Sequence, residues 1–159
     1  MATISTLLKP AHGNSQRGRS PYYVDMTVDL TAQAIDCSSG DVVQCLTVPA
    51  NTRVIHAGFQ VVESATMNTG TNATATLGAA DADEFAAAFD IDGAADGAYA
   101  PSTTPSDDVV LATADTLDLT FAGAGATFTA GKIRVYALMM DVSEEKDMTA
   151  NEVDRDLLA

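Results

Sequence analysis

From Tyr22 to Thr31 the chain alternates without a break, with Tyr22, Val24, Met26, Val28 and Leu30 set against Tyr23, Asp25, Thr27, Asp29 and Thr31. Successive side chains of an extended backbone point to opposite faces, so this period of two fits a half-buried strand. A helix would scatter the same residues around its axis. The period returns along the chain. Val42 to Val48 and Arg53 to Val62 are β-rich segments separated by Pro49, which cannot donate to a sheet ladder. In the second of them Ile55, Ala57, Phe59 and Val61 form the expected inward set. Ala73, Ala75 and Leu77 alternate with Asn72, Thr74 and Thr76, and Leu117, Leu119 and Phe121 with Thr116, Asp118 and Thr120. A short strand is expected at Val109 to Thr113. The last strand, Lys132 to Val142, carries apolar residues on both faces: Ile133, Val135, Ala137 and Met139 on one, Tyr136, Leu138 and Met140 on the other. That pattern predicts a central strand or a strand in contact with another subunit.

Seven or eight short strands separated by turn signals describe an all-β fold, an antiparallel β-sandwich of jelly-roll-like form. One region departs from the period. Asp81, with Glu84 three residues on, has the spacing of a capping box and predicts a short helical turn through Phe89, the alternative being an irregular strand near Phe89 and Ile91. Gly93, Gly97, Pro101 and Pro105 mark the stretch from Asp81 to Asp108 as an exposed loop.

The ends read differently from the middle. Lys9, Arg17 and Arg19 give the first 24 residues a charge of +3 with no acidic residue, whereas the formal total of the chain is −14. Everything from Asp25 onward therefore carries −17. The expected organisation is a basic extended N-terminal arm (1–20), a β-sandwich domain (21–142) and an acidic C-terminal tail (143–159), in which six acids and two bases surround Met148, Val153, Leu157 and Leu158. At 159 residues one core is well supplied and two would be marginal.

Charge and composition exclude several functions. A body at −17 lacks the clustered Lys and Arg that displace counterions from phosphates, so neither nucleic acid nor an anionic membrane is an expected partner. No window holds the ~20 uninterrupted apolar residues of a spanning helix. "TISTLL" is too short for a secretory apolar region, and its positive charges follow it. Assembly in a reducing cytoplasm fits the two cysteines. In a tight hairpin centred on Ser38 to Asp41, Cys37 would face Val42 and Cys45 would face Ala34, which predicts two reduced, half-buried thiols and no disulfide or zinc site.

Chemical motifs fail on spacing. In "GATFTAGKI" five residues separate Gly125 from Gly131 where a phosphate-binding loop has four, and Ile133 stands where a magnesium-binding hydroxyl belongs. Asp90, Asp92 and Asp96 offer oxygens for calcium, but the loop has Ala94 and Ala95 where a donor and a glycine are required. His56, between Ile55 and Ala57, is expected to be a partly buried strand residue. No enzyme activity, cofactor or metal is predicted.

The basic arm has a more specific reading. Ile4, Leu7 and Leu8 would anchor it, and Lys9, Arg17 and Arg19 would clamp it, on the surface of another subunit. Tyr136, Leu138 and Met140 are the expected subunit-contact residues of the body.

The series "VVQCLTVPANTRVIHAGFQVVES", "TATATLGAADADEFAAAFD", "LATADTLDLTFAG" and "TAGKIRVYALMMDV" resembles small head decoration, cement or virion structural proteins of tailed bacteriophages, over about Val42 to Val142. The resemblance implies a β-sandwich on the capsid exterior, often a homotrimer, that bridges major capsid proteins and stabilises the head. It implies no catalytic residue. The alternative reading is a receptor- or glycan-binding module that works through the 81–108 loop.

Overall fold

The computed structural model describes residues 3–4, 9–10, 20–32, 35–36, 40–102, 109–124 and 127–142. The strands in chain order are β1 (Thr3–Ile4), β2 (Lys9–Pro10), β3 (Tyr22–Asp29), β4 (Val42–Val48), β5 (Thr52–Met67), β6 (Thr74–Gly78), β7 (Ala86–Asp90), β8 (Val109–Leu111), β9 (Asp115–Ala122) and β10 (Phe128–Asp141). No helix occurs among the described residues.

From β3 onward the pairing is nested: β3 with β10, β4 with β9, β5 with β8, and β6 with β7, all antiparallel. Successive pairs fall alternately in two sheets, β3-β10-β5-β8 and β4-β9-β6-β7, which is one long hairpin rolled over itself. This is an eight-stranded jelly roll, as the sequence predicts. β1 and β2 add to the second sheet by pairing in parallel with β4.

The alternation read from the sequence becomes the core. Val24, Val28 and Leu30 from β3 and its end meet Ala57, Phe59 and Val61 of β5 and Ile133, Val135, Ala137 and Met139 of β10. The opposite sheet contributes Val43, Cys45, Leu46, Ala73, Ala75, Leu77, Leu117, Leu119 and Phe121. Aromatic rings interlock edge to face, Phe59 on Phe89 (6.1 Å) and Phe121 on Phe128 (5.5 Å), a favoured arrangement of ring quadrupoles.

Five expectations are corrected. Ile55 is not inward. Leu138 pairs with His56 but Met139 pairs with Val54, so a β-bulge sits at Ile55 and Val54 takes its core position. The tight hairpin around Ser38 to Asp41 does not form, because β3 and β4 lie in different sheets and the connection crosses between them. The Asp41 carboxylate holds this crossing by accepting the Asp36 amide at 3.0 Å. Cys45 is fully buried and free, its thiol pushed up to about 12 chiefly by burial, while Cys37 lies outside the described residues.

The helical turn expected from Asp81 is replaced by a turn, with the Glu84 amide on the Asp81 carbonyl at 3.4 Å, followed by β7. Burial of Phe85, Ala86 and Ile91, and the pairing of Phe89 with Ala75, favour the extended form there. Residues 91–100 are also not a free loop. Val61 donates to the Ala98 carbonyl (2.8 Å), Ala100 to Phe59 (3.0 Å) and Ala65 to Ile91 (2.9 Å), which fastens this stretch along β5. Residues 103–108 lie outside the described residues.

The packing sets a testable magnitude. Phe59→Ala removes a fully buried ring from the wall between the sheets, and is expected to cost about 3–5 kcal/mol of unfolding free energy by urea titration.

Candidate assembly surface

The outward positions of the sheet β3-β10-β5-β8 form a face with two characters. Tyr136, Leu138 and Met140 succeed one another along β10 and are half-buried. Cross-strand register puts Leu138 between Tyr23 and His56, and Met140 beside Arg53. Toward the other end of β10 the outward residues are Arg134 and Lys132, and the Lys132 ammonium meets the Glu63 carboxylate at 2.6 Å. That hydrogen bond raises the Lys132 pKa, and as a solvent-screened surface pair it adds little to stability.

Three of the four tyrosines meet on this face. The Tyr136 ring lies 6.4 Å from Tyr23 at 19°, 6.0 Å from Tyr99 at 70° and 5.8 Å from His56. The cause is Gly58, directly across from Tyr136: a Cβ there would stand 2.7 Å from the Tyr136 hydroxyl and 3.0 Å from Cζ. The missing side chain lets the ring fold down onto β5, where His56 and Tyr99 close around it.

Tyr99 is delivered by the fastened stretch after β7. An isolated bridge sets it opposite Gln60, the Gly97 amide donates to Val61 (2.7 Å), and Gln60 Nε2 donates to the Gly97 carbonyl (3.1 Å). The Asp96 carboxylate accepts the Ser64 amide at 2.8 Å. Arg134 then reaches the Tyr99 hydroxyl at 3.4 Å. Tyr23 and Tyr99 remain 55% and 53% exposed, and Val110 54%, so the apolar surface is displayed rather than covered. Partial burial, then the Asp25 carboxylate, raise the Tyr23 pKa against the opposing pull of Arg134. The Tyr23 phenol is thus a neutral donor at physiological pH. Aromatic side chains with few rotatable bonds and a polar tip, already fixed by neighbours, lose little entropy when covered.

The outer face of the other sheet is different. Thr74, Thr76, Thr116, Thr120 and Gln44 line it, with Asp118 half-buried among them. Burial raises the Asp118 pKa, with Thr116 opposing and Asp115 reinforcing the shift, and Asp118 Oδ1 has no hydrogen-bond partner. At one end, Gln44, Thr47, Val48, Pro49, Ala114, Asp115 and Thr116 line an open depression of about 330 Å³. Asp115 is the one carboxylate in its lining.

The carboxylates that offer oxygens for calcium in the sequence are engaged within the chain. Asp90 accepts the Gly93 and Asp92 amides (2.7 and 3.2 Å), which lowers its pKa, and Asp92 accepts the Asn72 amide (2.8 Å). Among the described residues no group of three His, Cys, Asp or Glu side chains is placed to hold a metal. Gly131 and Lys132, in the segment that imitates a phosphate loop, belong to β10.

Of the expected arm residues, Ile4 and Lys9 do not join the tyrosine face. The backbones of Ile4 and Lys9 lie along β4, in the other sheet, beside Val43 and Leu46 of the same chain. Leu7, Leu8, Arg17 and Arg19 lie outside the described residues, as does the tail from 143 to 159. Tyr23, His56, Tyr99 and Arg134 escaped the sequence reading of the site. Tyr23 and Arg134 carry a period-two signal for the outward face, whereas no pattern in the sequence carries Tyr99 there.

Comparison with known proteins comes down to fold. No protein-family model matches the chain, and no curated protein matches it. Among solved structures, a chain from the capsid of Ralstonia phage GP4 superposes with a TM-score of 0.59 at 17% identity, over 79% of this chain and 86% of that one. A chain from the acidic stable capsid structure of Helicobacter pylori bacteriophage KHP30 aligns more loosely, with a TM-score of 0.47 at 12% identity over 78% of this chain and 94% of that one. The fold shared with the Ralstonia phage GP4 chain is the β-sandwich.

Two measurements check the surface. Gly58→Val should lift the Tyr136 ring, reducing the near-ultraviolet circular dichroism of the tyrosines at a stability cost of about 1 kcal/mol or less, since the displaced atoms are the far end of a side chain. Asp118→Asn should raise the thermal midpoint at pH 7. Because the folded pKa lies above the unfolded one, the ionised carboxylate is penalised as pH rises through that window. The gain should therefore vanish when pH falls below the ordinary carboxylate range, where Asp118 is neutral in both states.

Proposed function

We propose that this chain is a structural protein of a phage virion, a decoration or cement protein that binds the outside of the head and stabilises it by bridging major capsid proteins. The observation that carries this reading is the jelly roll it shares with a chain of the Ralstonia phage GP4 capsid. The displayed tyrosine face and the opposite charges of leader and body support it. In this reading the protein has no enzymatic activity. Tyr136, Leu138 and Met140, with Tyr23 and Tyr99, join sister copies into a homotrimer, and the basic leader grips the shell through Leu7, Leu8, Arg17 and Arg19. Many modest contacts made by each trimer add through avidity.

Co-sedimentation of the purified full-length chain with intact phage heads tests this directly. A fixed copy number per head is expected, with deletion of residues 1–20 leaving a folded body that no longer sediments. Undiminished occupancy by the truncated body removes the leader from the mechanism, and no sedimentation of the full chain removes the decoration role. Tyr136→Ser with Leu138→Ser should leave a folded chain that no longer forms the trimer through this face.

One observation favours a second reading. Three tyrosines flanked by Arg134 and Gln60 are also a platform on which a glycan could stack and hydrogen-bond. Glycan-array binding abolished by Tyr99→Ala would favour a receptor-type module over a cement protein.

A further inference from the structure

The side of β4 turned away from β9 is an edge of its sheet, and four residues of the leader cover it. β1 sets Thr3 beside Val42 and Ile4 beside Val43, and β2 sets Lys9 beside Leu46 and Pro10 beside Thr47. The register slips by two residues between these pairings, so among the described residues β4 receives two short contacts that are out of step with each other. Both are parallel, the weaker geometry per residue, and Pro10 has no amide to give. An edge covered in this way remains a template for strand pairing.

The topology fixes how far the chain must travel to make these contacts with itself. β3 ends where the crossing to β4 begins, and β4 runs back. β2 is parallel to β4 and therefore finishes, beside Thr47, at the end of the sandwich where Tyr22 starts β3. β3 and β4 are in contact across the sandwich. Packed sheets stand about 10 Å apart. Residues 11–21, which join β2 to β3, are eleven residues and can extend to about 36 Å. The connector is roughly three times as long as the return to its own β4 requires.

We infer that β1 and β2 of each copy pair with β4 of a neighbouring copy, so that the chain assembles as a strand-exchanged homo-oligomer. The register and the hydrogen bonds are the same in either arrangement, so exchange forfeits no contact. The connector supplies the reach, and the crowding of copies in an assembly raises the effective concentration of the neighbouring edge. Charge supports the same occupant: a leader of +3 meets a body of −17 on every copy. This inference goes beyond the decoration reading and does not need a phage head to be true.

The test uses full-length chains. Thr3→Cys and Val42→Cys are made separately, each with Cys37→Ser, so that the buried Cys45 is the one native thiol left. The two variants are co-expressed, concentrated and treated with a short thiol-to-thiol crosslinker. Exchange predicts a covalent heterodimer at twice the chain mass on a denaturing gel. The double variant Thr3→Cys/Val42→Cys, also with Cys37→Ser, should give a ladder of linked chains. A double variant that closes only on itself, with no heterodimer from the separate variants, overturns the inference. Absence of crosslinking in both preparations also overturns it, because β1 would then not lie on β4 at all. Head binding is not read in this experiment, so its failure is separable from failure of the decoration role.

Discussion

The ladder between β5 and β10 is the constraint on which the molecule depends. It runs from Thr52 opposite Asp141 to Met67 opposite Phe128, and its bulges let two strands of 16 and 14 residues coil without leaving register. β3 and β8 attach to its two sides, and the inward residues of both strands form one wall of the core. Register matters more here than in a short hairpin, because a slip of one residue in β5 would carry Ala57, Phe59 and Val61 to the solvent and turn Gln60 inward. The bulge at Ile55 is what reconciles Val54 and Ala57 with the same interior.

The same register determines the function available to the surface. With Ile133, Val135 and Ala137 committed inward, Tyr136 and Leu138 must face outward, and the absent side chain at Gly58 decides how Tyr136 lies. The two outer faces then diverge: one presents half-exposed tyrosines fixed by their neighbours, the other threonines around a partly buried carboxylate. The tyrosine face has the composition of an interface centre, with aromatic anchors and a charged rim at Arg134, Lys132 and Glu63. The threonine face has no comparable apolar anchor.

Much of the fold was legible because half-buried strands state their period openly. The inward sets of β3, β6, β9 and β10 follow from alternation alone, and β4 was predicted with its observed bounds. What escaped was decided by tertiary pairing. The bulge at Ile55 has no local signature, and the turn chemistry around Ser38 to Asp41 is as compatible with a crossing between sheets as with a hairpin. At Asp81 a capping-box spacing competed with the burial of Phe85, Ala86 and Ile91, and burial won. Of the surface, Tyr136, Leu138 and Met140 could be read from the doubly apolar last strand. Tyr99 could not, since it reaches the face through backbone hydrogen bonds to β5 from the far side of β7.

The central claim is that this jelly roll works by being covered on its tyrosine face within an ordered assembly on a phage shell. A cryo-electron-microscopy reconstruction of heads saturated with the purified chain tests it most directly. The account predicts added density following the symmetry of the shell, with Tyr23, Tyr99 and Tyr136 of each copy packed against a sister copy. Density in which those three side chains face open solvent, or heads that gain no ordered density, would contradict it.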